Sequence, residues 1–246
     1  MGLNLNQILN ISRCGMMARM NDLDLVSHNL ANINTTGFKA SRSNFQEMLN
    51  QRLYNGVQLR TTQHFMDQGA FKQTSNSLDL AINGEGFFSV TLPDGRLAYT
   101  RDGEFKLDAN HRIVNGNGFP LVWDGSIPDD AEDINIESDG SVMVLQDGTW
   151  NQAGTIQLTR FPNANGLLGY GDNLWIETPA SGSAITGTPN SEGFGQIRNH
   201  TLEQSNVNIA NEMTQMILLQ RSFDMSLRTF QATDQMLDQA IQMRRI

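Results

Sequence analysis

An α+β fold is predicted for this 246-residue chain, with long N- and C-terminal helices pairing as a coiled coil and a central antiparallel β-rich domain. Charge divides the chain first: residues 1–60 carry six Lys/Arg against Asp22, Asp24 and Glu47, whereas residues 61–200 carry a net −11. All six prolines and all three tryptophans fall in that acidic middle. Asp-Gly and Asn-Gly pairs recur there at strand-and-turn spacing, and apolar residues recur every seven positions at the two ends.

At the N-terminus, Leu9, Met16, Leu23 and Leu30 lie seven apart, with Met20 four beyond Met16, and with Val26 and Ile33 each three beyond a seam residue. Such a seam wants a facing helix. The helix is expected to stop near Asn34, where "NTTG" supplies polar side chains for the open backbone groups and Gly37 can turn left-handed. Residues 35–70 then read as an extended connecting segment.

From residue 71 to 202 the turns "PDGR", "RDGE", "DANHR", "NGNG", "SDGS" and "QDGT" separate short β-branched and aromatic runs such as "GFFSVTL", "LAYT", "SVMVL" and "TIQLTRF". Asp-Gly and Asn-Gly provide the positive φ of tight hairpins. No helical pattern interrupts these runs, so the strands are predicted antiparallel. "PASGSAITGTPNSEGFG", 179–195, reads as a surface loop.

The C-terminal helix is predicted from about 206 to 243, roughly 55 Å long at 1.5 Å per residue. Ser205, Asn206 or Asn208 can cap it. Its seam is Ile209, Met216, Phe223, Phe230 and Leu237, with Met213, Leu227 and Ile241 in the alternate heptad positions and Gln220 and Asp234 interrupting them. A helical hairpin within one chain and an assembly interface between chains both fit this pattern. Two features favour assembly: nine of the twelve methionines lie in 1–34 and 203–246, where flexible thioethers can repack against different neighbours, and polar interruptions of a seam set register and partner number.

Chemistry is sparse. A formal charge of −9 argues against nucleic acid. Cys14 is the only cysteine, so no disulfide forms within the chain, and it reads as a small apolar residue. His28, His64, His111 and His200 show no ligand spacing, and the acidic run 128–140 lacks the spacing of a calcium loop. The Gly-x-Gly of "INGEGFF" opens no helix that could present a phosphate site. No catalytic, cofactor or metal residues and no small-molecule substrate are therefore assigned. No apolar run is long enough to span a bilayer, and "MGLNLNQILNISRCGMMARM" lacks the basic start and cleavage site of a secretory signal. The chain is expected to stay inside the cell or to leave by a route that removes no signal peptide. A rival reading makes the β domain a cell-wall glycan binder or a carbohydrate-active enzyme, requiring two facing carboxylates or a row of exposed aromatics from Trp123, Trp150 and Trp175.

"SHNLANINTTGFKASRSNF" (27–45), "SLDLAINGEGFFSVTLPDGRLAYTRDGEFKLDANHRIVNGNGFPL" (77–121) and "LEQSNVNIANEMTQMILLQRSFDMSLRTFQATDQML" (202–237) resemble, in this order, the three signatures of the bacterial flagellar rod and hook family. Length, a single central domain and the "EQSNVN" opening look most like its distal rod members. The short stretch between Phe45 and Gly69 keeps the proximal rod members open, and a hook protein would need a further outer domain. The resemblance implies a non-enzymatic subunit of the basal-body rod, whose terminal helices (1–34 and 203–246) form the core of a helical tube that transmits torque to the hook and lines the export channel. It implies as partners the same chain in a self-polymer, other rod subunits, the hook protein, the flagellar type III export apparatus and rings around the rod. It places the protein in the flagellum basal body, outside the cytoplasmic membrane. The two seams and a signature turn of Asn29, Leu30, Ala31, Asn32, Thr36, Gly37, Phe38 and Lys39 would then carry function. Asn29, Asn32 and Asn34 would let the chain leave a packed helix and turn outward, and replacing Gly37 with Val should block assembly with the β domain still folded.

Overall fold

A computed structural model describes the backbone of residues 5–50 and 54–243, and side chains from Ile11 to Asn44, from Thr62 to Met236, and at Gln239 and Gln242. The protein is α+β, with two helices and antiparallel strand pairs. Its chain divides into two compact units, neither continuous in sequence. The first is drawn from Met1–Asn32, Ala40–Phe65 and Val207–Ile246, the second from Ile33–Lys39 and Met66–Asn206.

The first unit holds α1 (Leu5–Ala31), an antiparallel hairpin of β1 (Ser41–Asn50) and β2 (Tyr54–His64), and α2 (Ile209–Met243). Helix α1 ends three residues before the expected Asn34. There the Asn32 amide and its Nδ2 both donate to the His28 carbonyl, at 3.2 and 2.9 Å, satisfying an open C-terminal acceptor. Of the three candidate caps for α2, Asn208 does the work: its Oδ1 accepts the Asn211 amide at 3.2 Å. No Gly or Pro interrupts the 35 residues that follow. The stretch 41–64 pairs with itself from Ser41 opposite His64 to Asn50 opposite Tyr54, with a bulge at Asn44/Phe45.

The second unit contains sixteen short strands among the described residues. They run β3 (Phe71–Gln73), β4 (Leu80–Asn83), β5 (Phe88–Thr91), β6 (Leu97–Thr100), β7 (Phe105–Leu107) and β8 (Ile113–Asn115). Next come β9 (Trp123–Gly125), β10 (Asp133–Ile136), β11 (Ser141–Gln146), β12 (Thr149–Ile156) and β13 (Leu158–Arg160). The last are β14 (Leu168–Gly171), β15 (Leu174–Ile176), β16 (Ile185–Gly187), β17 (Gln196–Asn199) and β18 (Thr201–Glu203). Two four-stranded sheets, in the orders β10-β11-β12-β9 and β14-β15-β6-β5, are accompanied by separate two-stranded pairs, of which β17-β4 and β18-β3 bring the end of the unit back to its beginning.

Alternation builds the core. On β10 and β11, Ile134, Ile136, Val142 and Val144 point inward and their neighbours outward. They join Leu80, Ile82, Phe88, Val90, Phe105, Ile113, Ile156 and Leu158 in one apolar cluster, within which Phe88 and Phe105 meet edge to face at 5.2 Å. Phe87, Tyr99, Phe161, Leu167 and Trp175 form a second cluster.

Most turn signals act as hairpin chemistry predicts: Gly95, Gly118, Gly140 and Gly148 all have positive φ. In "DANHR", Asp108 Oδ1 accepts the Asn110 and Arg112 amides. "RDGE" is different. Gly103 makes no hairpin; a Cβ there would fall 1.6 Å from the Leu80 carbonyl oxygen, so glycine is present for close approach of two backbones. The stretch 179–195 contains β16, which pairs with β13 and was not expected from its Gly, Ser and Pro content.

Candidate assembly interface

The signature turn is two devices in succession. In the first unit, buried Asn29 forms a two-point bond to the Ser41 backbone: Nδ2 donates to the Ser41 carbonyl at 2.9 Å, and Oδ1 accepts the Ser41 amide at 3.0 Å. An amide side chain thereby mimics a strand partner at the start of β1, and its Nδ2 also lies 3.5 Å from Glu212 Oε2 on α2. Leu30 and Asn32 are half-buried, whereas Ala31 and Asn34 are exposed. Beside this clamp, the Ser41 hydroxyl meets His64 Nδ1 at 2.8 Å. Burial, reinforced by the nearby His28, holds His64 below the ordinary histidine range.

In the second unit, residues 36–39 seat on the β strands. Gly37 has φ +65, and a Cβ on it would lie 2.4 Å from the Asp102 amide nitrogen. Thr36 Oγ1 donates to Asp102 Oδ1 at 2.7 Å, and Asn173 Nδ2 donates to the Thr36 carbonyl at 2.9 Å. Burial pushes the Asp102 carboxyl up, partly offset by the Thr36 hydroxyl. Phe38 is buried.

Lys39 leads to a feature that the sequence reading did not find. Its side chain is fully buried, and Nζ donates to Glu203 Oε1 at 2.6 Å and to the Asp67 carbonyl at 2.7 Å. The same Glu203 oxygen accepts the Gly69 amide at 2.9 Å, and its other oxygen lies 3.3 Å from Arg101 Nη1. Arg101 Nη2 donates to the Gly84 carbonyl at 2.8 Å, and the guanidinium stacks over Phe87 at 5.1 Å. Desolvation lowers both cations, Lys39 and Arg101, while Glu203 pulls each back up. One anion thus serves two buried cations. Only the placement of Lys39 in "TGFK" and of Glu203 before "QSNVN" hinted at it, since isolated charges read as solvated.

Helix α1 packs on both α2 and the β1–β2 hairpin, and among the described helix side chains Ala18, Val26 and Asn29 of α1 and Thr233 of α2 are buried. The predicted seam is mixed. Met16, Leu23, Met216, Phe223 and Phe230 are half-buried, Met20, Ile209, Met213 and Leu227 are exposed, and Ile33, in the second unit, is half-buried. The side chains of Leu9, Leu237 and Ile241 lie outside the described residues. A strict seven-residue repeat drifts about 20° per heptad on a straight helix, so the row walks from exposed Ile209 into half-buried Met216, Phe223 and Phe230.

Elsewhere the β strands offer little to a ligand. Trp175 is buried and Trp123 packs half-buried against the core, leaving only Trp150 of the three exposed, so they form no row of aromatic faces. Among the described residues, no group of three or more His, Cys, Asp or Glu could hold a metal ion, and no helix is long and apolar enough to cross a membrane.

Three family models match in chain order: "Flagella basal body rod protein" over 9–39, "Flagellar hook protein FlgE/F/G D1 domain" over 81–144, and "Flagellar basal body rod FlgEFG protein C-terminal" over 198–243. The flagellar basal-body rod protein FlgG of Buchnera aphidicola subsp. Acyrthosiphon pisum is 39% identical over 95% of this chain and 98% of its own length. The chain belongs to the flagellar basal-body rod FlgG family. FlgG proteins of Borreliella burgdorferi and Caulobacter vibrioides are each 37% identical, covering 94% and 97% of this chain and 96% and 99% of their own lengths. The short 45–69 stretch therefore does not move the chain to the proximal rod members. It is a structural subunit of the flagellar basal-body rod, in a family of structural proteins rather than enzymes.

Proposed function

We propose that this rod subunit polymerises through α1 and α2, which pair as a coiled coil within the chain and pack against the same helices of neighbouring copies. The observation that carries this is the distribution of exposed apolar residues on α2. Ile209, Met213, Ile217 and Leu227 are exposed along one flank of the intrachain contact. Leu218, Met225 and Met236 are also exposed, roughly 160–180° round the helix from Ile209 at about 100° per residue. A helix with apolar rows on more than one side is built to be surrounded. One chain supplies one neighbour, and a helical tube supplies the rest.

A stiff tube of this kind transmits torque to the hook because continuous helical packing resists twisting about the common axis. Other rod subunits, the hook protein and surrounding rings are its neighbours in the basal body, and the flagellar type III apparatus delivers the chain without cleavage. The seam residues and the turn 29–39 are the functional residues of this reading.

Sedimentation of the purified full chain over a concentration series tests it. The chain is expected to form polymers whose mass grows with concentration, and Met225→Asp to stay monomeric with an unchanged β-unit melting transition. Undiminished polymerisation of Met225→Asp would remove the flank of Leu218, Met225 and Met236 from the interface.

A further inference from the structure

We propose that Glu203 is a closure latch, which makes the seating of residues 36–39 and of residues 203–206 on the second unit mutually conditional. The two segments stand far apart in sequence but adjoin in the fold. The Gly37 amide donates to the Glu203 carbonyl at 2.8 Å, and the Asn206 amide donates to the Phe38 carbonyl at 3.4 Å. Asn206 Nδ2 reaches the Asp67 carbonyl at 3.0 Å, the same oxygen that accepts from Lys39 Nζ. At the centre, the Glu203 side chain is 1% exposed and that of Lys39 is 0% exposed.

The coupling follows from charge. If 203–206 seats without 36–39, the space of Lys39 empties and Glu203 keeps only Arg101 and the Gly69 amide. If 36–39 seats without 203–206, Lys39 is buried against a lone carbonyl and Arg101 loses its only carboxylate contact among the described residues. Each half-closed arrangement leaves a charge in a low-dielectric site with incomplete partners, which is the most costly way to disrupt such a cluster. Apolar contacts at the same place would weaken gradually as each segment left; a shared anion makes the loss abrupt. The segment that follows α1 in the chain and the one that precedes α2 are therefore locked together, and the second unit closes only when both ends of its sequence are present.

Amide hydrogen exchange in the full-length chain tests this. Gln204, whose amide bonds the Ala70 carbonyl at 2.8 Å, reports on the C-side segment independently of 36–39, and Gly37, whose amide bonds the Glu203 carbonyl, reports on the contact between the two segments. Lys39→Met keeps length without charge, and Glu203→Gln keeps shape without charge. Lys39→Met is expected to speed exchange at Gln204, and Glu203→Gln at Gly37, each at least tenfold, with the double variant no faster than the faster single. Effects confined to each variant's own segment, or multiplying in the double variant, would overturn the latch. If Lys39→Met fails to fold, Lys39→Gln, which is polar but also removes the charge, is read in the same way. Faster exchange at Gln204 supports the latch, and unchanged exchange there overturns it.

Discussion

At the scale of single residues, Gly37 shows what its motif is for. The sequence suggested a left-handed turn after a helix, and φ is +65 as that requires. The second constraint is invisible in sequence: the site of a Cβ is already occupied by backbone atoms of Arg101 and Asp102, at 2.4 to 2.7 Å. A β-branched residue meets both penalties, left-handed strain of about 1–2 kcal/mol and displacement of a backbone that cannot rotate away. Gly37→Val is therefore expected to lift residues 36–39 off the strands and to lower the stability of the second unit by about 2 kcal/mol or more. Thermal denaturation of the full chain measures this, and an unchanged melting temperature would mean that the segment seats without the close approach. Asn29 teaches a complementary lesson. Its side chain is read in sequence as a generic polar group at a helix end, but its use, pairing both backbone groups of Ser41, depends on where the chain returns twelve residues later. Lys39, Glu203 and Arg101 were illegible for the same reason, since burial of a charge is a property of the partners that the fold brings to it.

At the scale of elements, periodicity and turn chemistry carried far. Both helices, and most strands that follow Asp-Gly and Asn-Gly pairs, sit where hydrophobic pattern and positive-φ residues place them, because those signals are local; β7, after the close-approach glycine Gly103, is the exception. Strands β13 and β16 pair across more than twenty intervening residues, and nothing in "SAITGT" announces the partner. The cap of α2 was narrowed to three residues and decided by geometry alone. The hairpin of β1 and β2 adds a pH dependence. His64 stands opposite Ser41 at its base, and burial and then His28 hold its folded-state pKa below the ordinary 6.5. A group depressed in this sense binds its proton more readily when unfolded, so its contribution is present above pH 6.5 and is lost as pH falls through that value toward the folded pKa. Protection of 41–64 against proteolysis is expected to fall between pH 7.5 and 5.5 in the native chain, and less steeply in His64→Gln. Equal slopes in the two would assign the effect to other groups.

At the scale of the whole molecule, the two apolar flanks of α2 make a prediction that neither flank makes alone. An interface in which one face of a subunit meets a different face of the next is heterologous, and it grows until an operator closes it or an end is blocked. A chain carrying Met225→Asp would keep the flank of Ile209, Met213 and Ile217, and could join a growing polymer by that side while offering the next subunit a charge where a methionine belongs. Burying an unpaired carboxylate is costly enough to stop addition there. Met213→Asp would do the same from the opposite flank. Either single variant, added at a few per cent to native chain, is therefore expected to shorten polymers out of proportion to its amount, whereas the double variant would neither enter nor interfere. Light scattering of such mixtures reads the difference directly. Simple dilution by all three variants would mean that the two flanks serve one contact, and that α2 meets a single neighbour rather than being surrounded.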